Sequence, residues 1–177
     1  MLRTDNQLFH WLAVIFTVSA LLILQAGMFY NFPIYGVTPN ILLLFVVVTA
    51  LTASTNHVLA VSLFSGLLLD LLSGAPDGLF VSTFFLTAMT LHFVVNNFLS
   101  NANQHAVLTV GVVGSITLFS LLSIIILSLL SWLTNPVIFD AGQILGIGLA
   151  INLLWGLILV YPVLWLHQFI ENKFSKT

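Results

Sequence analysis

Six apolar runs, each closed by a cluster of turn residues, organise this chain. They cover about 8–30, 40–53, 58–73, 79–99, 106–133 and 143–169. A membrane-spanning helix needs about 20 mainly apolar residues. The runs therefore predict an all-α polytopic membrane protein with six transmembrane helices in a single domain, 1–177. The second run is short, and the fifth is long enough to tilt. Asn31, Pro33, Gly36 and Pro39 break the pattern after the first run, and Ser54-Thr55-Asn56-His57 forms a tight turn after the second. Gly74-Ala75-Pro76-Asp77-Gly78 has turn chemistry, with Pro and Gly supplying the restricted or unusual φ values. Ser100 to His105 forms the next connection, and Thr134-Asn135-Pro136 opens a loop that holds Asp140. Trp11 near one end of the first run, and Phe29 and Tyr30 near the other, suit interfacial positions. That run is some 20 residues long without a convincing small-residue cleavage site, and reads as a retained helix rather than a signal peptide.

Composition settles the class. The chain is 60% hydrophobic and 5% charged, with mean hydropathy +1.17, whereas soluble domains are roughly 25% charged. Between Asn6 and Ile170 the only charged residues are Asp70, Asp77 and Asp140. Arg3, Lys173 and Lys176 sit at the ends. Positive residues mark the cytoplasmic side, so both termini are expected in the cytoplasm, with an even number of spans. Asp77 and Asp140 then face outward. The chain has no cysteine, which removes disulfides, thiol nucleophiles and thiolate metal sites.

Asp70 is the sharpest candidate for chemistry. It lies in a leucine-rich run near the outer end of span three, where a carboxylate is costly. No Lys or Arg in the chain is placed to reach it. Its expected partners are hydroxyls, amides or helix N-terminal N–H groups, holding the turn before span four. A carboxylate dyad with Asp140 has little support, because Asp140 sits in a loop whose flanks carry no further polar chemistry. The five histidines do not pair with one another at helical metal-ligand spacing, and no metal or other cofactor is expected. His92 reads as a packed or hydrogen-bonded residue. Gly142, Gly146 and Ala150 form one row of small residues on span six, and Gly148, Asn152 and Gly156 a second. Such rows let helices approach closely in lipid, and packing within the domain is the favoured use. The hydroxyls of span five are expected to bond their own helix backbone.

Two blocks resemble the MreD family of rod-shape-determining membrane proteins. The first, Thr38-Pro39-Asn40-Ile41-Leu42-Leu43-Leu44, is similar to the family's Pro-Asn or Pro-Asp followed by an aliphatic run. The second runs from Gly66 through Asp70 and Ser73 to Gly74, with Gly78 four residues later. It resembles the family's Gly-x-x-x-Asp-aliphatic-aliphatic-Ser-Gly signature. The detailed likeness covers about 36–99. The connections Ser54–His57 and Ser100–His105 lack the basic residue the family often carries there.

The resemblance implies a six-helix fold similar to the substrate-binding S components of energy-coupling-factor transporters. It implies a non-enzymatic scaffold in the bacterial cytoplasmic (inner) membrane, binding MreC directly and working with MreB, RodA and a class B transpeptidase, with no nucleic acid involved. Pro39, Asn40, Gly66, Asp70, Gly74 and Gly78 are then the structural or partner-site candidates, with Asn40 as an N-cap. The alternative is an S component of a vitamin transporter. It requires an outward-opening polar pocket, for which the sequence offers Asn31, Asp70, Asp77, Asn135 and Asp140.

Overall fold

The computed structural model describes residues 2–29, 35, 37–99, 102–133 and 140–174. Asn31, Pro33, Gly36, Asn135 and Pro136, which figured in the expected loops, lie outside them. The described residues form helices and no strand: α1 (Leu2–Leu24), α2 (Ile41–Thr52), α3 (Thr55–Ser73), α4 (Leu79–Phe98), α5 (Gln104–Leu133), a one-turn α6 (Ala141–Gln143) and α7 (Leu149–Phe174). A wide π turn extends α1 over Gln25–Phe29, and another joins α6 to α7 over Ile144–Gly148. Five helical segments are long and apolar enough to cross a membrane. The sixth, α2, has only 12 residues, about 18 Å at 1.5 Å per residue.

The short helix is the axis of the structure. Every residue from Ile41 to Ala50 is buried, which is why its sequence is apolar on all sides rather than along one stripe. Helices α3, α4, α5 and α7 pack around it, with α1 closing the side between α3 and α7. Val18, Leu42, Phe45, Val47, Phe84 and Val112 form the centre of the core. The outer surface stays apolar: Phe16, Leu71, Trp132 and Trp165 are each exposed by 67% or more. Lipid is the solvent such a surface requires. The two rows of small residues on the last span part company. Gly156 lies against Ile116 and Val112, so a β-carbon there would come within 2.6 Å of the Ile116 side chain. Gly142, Gly146 and Ala150 are exposed on the outside of the bundle.

Both ends of the bundle can be identified from side-chain contacts. His10 near the start of α1 meets Glu171 near the end of α7, so the chain's two ends lie together. The α3–α4 turn, the start of α2 and the α6–α7 π turn lie at the far end.

Candidate functional site

Two polar constellations occupy the far end, and each begins with a problem of unpaired backbone groups. The first N–H groups of a helix have no partner within it, and lipid offers none.

At α4 the N-cap residue is Gly78, with φ +85°, a left-handed conformation that favours glycine. Gly74 ends α3 in the same region, with φ +66°. These two glycines fold the chain back within five residues, but Gly78 has no side chain with which to cap α4. Asp70 does so from α3. Its Oδ1 accepts from the N–H of Phe80 at 2.8 Å, and its Oδ2 accepts from the N–H of Val81 at 3.0 Å. The carboxylate also lies at the positive end of the α4 dipole. It therefore needs no cationic partner, which explains how a buried Asp survives without any Lys or Arg nearby. Gly66 stands one turn before Asp70. A β-carbon there would lie 2.6 Å from Val81 Cα and 2.7 Å from the Phe80 carbonyl oxygen. Gly66 thus sets the distance at which Asp70 reaches α4. The four residues act as one knot between α3 and α4.

At α2 the problem is deeper, because a short helix starts below the level of its neighbours' ends. Three amides solve it. Asn40 is the N-cap, its Oδ1 accepting from the Leu43 N–H at 2.9 Å. Asn152 of α7 accepts from the Asn40 N–H at 2.8 Å, and donates its own Nδ2 to the Gly148 carbonyl. Gln25, at the first position of the π turn after α1, accepts from the Leu42 N–H at 3.1 Å. Pro39 is buried just before the cap. Above this amide ring lies a cavity of about 520 Å³, bordered by Leu22, Gln25, Thr38, Asn40, Phe119 and Asn152 among others. Phe80 and Phe119 stack at 6.4 Å along its wall.

The opposite end of α2 is closed by His92 of α4. Its Nδ1 lies 2.9 Å from the Ala50 carbonyl oxygen, which can only accept, so the proton is on Nδ1. Nε2 then accepts from Thr55 and Asn96, at 3.1 and 3.0 Å. The imidazole is fully used in holding α2, α3 and α4 together.

Several expected roles are redistributed. Asp140 N-caps α6, its Oδ1 accepting from Gly142 and Gln143. Asp70 and Asp140 each serve their own helix N-terminus and form no dyad. Asp77 is exposed in the turn. None of these aspartates borders the large cavity; its polar wall is built from Gln25, Thr38, Asn40, Ser73 and Asn152. On α5, the hydroxyls of Ser115, Thr117, Ser120 and Ser123 donate to the carbonyls four residues earlier. Gln25 was missed as a site residue, and Asn152 was read only as one of a small-residue row. Their signal is a lone amide in an otherwise apolar run, where an unpaired polar group would be expensive.

No family model, curated protein or solved structure matches the chain. Its class rests on the fold itself: this is an all-α polytopic integral membrane protein.

Proposed function

We propose that the chain is a non-enzymatic membrane scaffold of the bacterial elongation machinery, a member of the MreD family needed for rod shape and lateral peptidoglycan synthesis. In this reading it lies in the cytoplasmic membrane with both termini in the cytoplasm. It binds MreC directly and works in one complex with MreB, RodA and a class B transpeptidase. The supporting observation is the knot at α3 and α4. The residues of the family-like block, Gly66, Asp70, Gly74 and Gly78, each have a distinct job in a single helix junction. A scaffold needs such fixed junctions more than it needs free reactive groups, and Asp70 and Asn40 are both spent on backbone N–H groups. The meeting of the chain's ends, together with Arg3, Lys173 and Lys176, supports the orientation. The exposed row Gly142, Gly146 and Ala150 supports a face where a partner helix approaches closely. Depletion of the protein in its host bacterium tests the reading. Rounded cells with reduced lateral wall incorporation are expected; unchanged rods with normal wall incorporation would overturn it.

One observation favours a second reading, an S component of a vitamin transporter. The far-end cavity of about 520 Å³ falls within the roughly 300–1,000 Å³ of small-molecule sites. Its amides are largely committed to α2, however: Asn152 uses both ends of its side chain, and the carbonyl oxygens of Gln25 and Asn40 are engaged. Mass spectrometry of small molecules released from the purified protein separates the two readings. A stoichiometric vitamin would favour transport.

A further inference from the structure

The end of the bundle that carries both chain ends holds a cluster that no helical repeat announces. His10 comes from α1, His57 from the first turn of α3 and Glu171 from the last turns of α7. Each offers one donor atom, and the three atoms lie within 4.8 Å of one another. His10 is only 4% exposed, yet neither of its ring nitrogens has a hydrogen-bond partner among the described residues. Glu171 Oε1 lies 3.8 Å from its Nε2, too far for a hydrogen bond. Burying an imidazole with both nitrogens unanswered is unfavourable, and the fold tolerates it at this one histidine.

The other two members are arranged as ligands are. The Nδ1 of His57 lies 3.0 Å from the Ser54 hydroxyl. That bond fixes the ring and leaves Nε2 free, as an outer hydrogen bond does for a metal-bound histidine. Trp11 lies over the same ring, at 4.8 Å between centroids. His57 and Glu171 are half-buried, so the cluster has an inner wall in His10 and an accessible side through which an ion can enter. His92 is saturated by its own partners and belongs to no such set. His167, four residues before Glu171, contacts the Thr52 hydroxyl at 3.4 Å and is not one of the three donors.

The geometry points to a binding site for one divalent transition-metal ion, of the Zn²⁺ class, held by His10, His57 and Glu171 with water completing its shell. Two imidazoles and a carboxylate are a donor set that Zn²⁺ accepts, with metal–ligand distances of about 2.0–2.2 Å. Imidazole selects against Mg²⁺ and Ca²⁺, which prefer oxygen ligands. At those bond lengths the donor atoms of a tetrahedral site stand roughly 3.3 Å apart. The present cluster is wider, and a rotation of the half-buried Glu171 side chain toward the fixed His57 ring would narrow it. A bound ion satisfies His10 and ties the start of α1 to α3 and α7. It is a staple on α1, the helix that closes the side of the core between α3 and α7, and it does not depend on the proposed cellular role.

The test uses the full chain in detergent micelles, purified with a tag other than polyhistidine and stripped with a chelator. Zn²⁺ is titrated by calorimetry, and Co²⁺ by its visible ligand-field absorption. Wild type is expected to take up one equivalent, and its Tm to rise by several degrees. His57→Ala and Glu171→Gln lie at half-buried positions, and their folding is checked by gel filtration and helical ellipticity. Each should weaken binding by at least about 100-fold, more than the loss of an outer hydrogen bond costs. His105→Ala, away from the cluster, should bind as wild type does. No stoichiometric uptake by wild type, or equal weakening in His105→Ala, would overturn the assignment and leave only a side-chain contact between His10 and Glu171.

Discussion

Asp70 offers the most demanding test of the structural account. Two isosteric or near-isosteric changes separate hydrogen bonding from mere occupancy. In Asp70→Asn one oxygen remains to accept from Phe80, but the amide NH₂ now faces the Val81 N–H, donor against donor. One bond to a charged acceptor is lost, worth about 1.5–3 kcal/mol, and the favourable charge at the α4 N-terminus goes with it, about 0.3–1 kcal/mol. In Asp70→Leu both bonds are lost, and two N–H groups face an apolar side chain. Two such bonds sum to roughly 3–6 kcal/mol. Total stabilities are typically about 5–15 kcal/mol, so the leucine variant should lose a large share of its stability and the asparagine variant a smaller one. The assay is denaturant unfolding in mixed micelles, followed by helical ellipticity. The expected order is wild type, then Asp70→Asn, then Asp70→Leu. If the two variants lose equal stability, the charge itself and not the pair of bonds is what matters. If neither loses any, the capping argument is wrong.

Gly66→Ala should be more damaging than its single methyl suggests, because the new carbon meets backbone that cannot rotate away; overpacking costs about 1–3 kcal/mol, read in the same unfolding assay. Gly74→Ala meets no atom within 4 Å and should cost only the left-handed penalty of about 1–2 kcal/mol. Asn152→Leu strands the Asn40 N–H inside the bundle and should lower stability by about 1–3 kcal/mol, whereas Asn97→Leu, exposed on α4, should change it by about 0.5 kcal/mol or less. His92→Leu exposes the Ala50 carbonyl to an apolar side chain and should lower the Tm clearly, while His105→Ala should leave it nearly unchanged.

The helices were legible because lipid forces each crossing segment to be long and apolar. The role of Asp70 as a hydrogen-bond acceptor at the turn before span four was also readable. A carboxylate without any available cation must find N–H or O–H donors, and the nearest unpaired donors open the next helix. The identity of those donors was not readable, since it depends on how closely Gly66 lets α4 approach. Run two looked simply short. That it is the buried axis, with its ends closed by Gln25, Asn152 and His92, depends on contacts up to 112 residues apart. The polar lining of the cavity was expected from Asp70 and from loop residues such as Asp77 and Asp140, but it is made of Gln25 and Asn152 inside helical segments, Thr38 and Asn40 just before α2, and Ser73 at the end of α3. The His10, His57 and Glu171 cluster was invisible to a search for paired histidines because each ligand comes from a different helix.

The central functional claim is that this chain holds other proteins together in the membrane. It is tested most directly by brief crosslinking in native membranes, affinity purification in mild detergent and identification of the partners by mass spectrometry. Recovery of MreC together with the wall synthases is the predicted result. Recovery of a transporter's transmembrane subunit with paired ATPases, and no MreC, would contradict it.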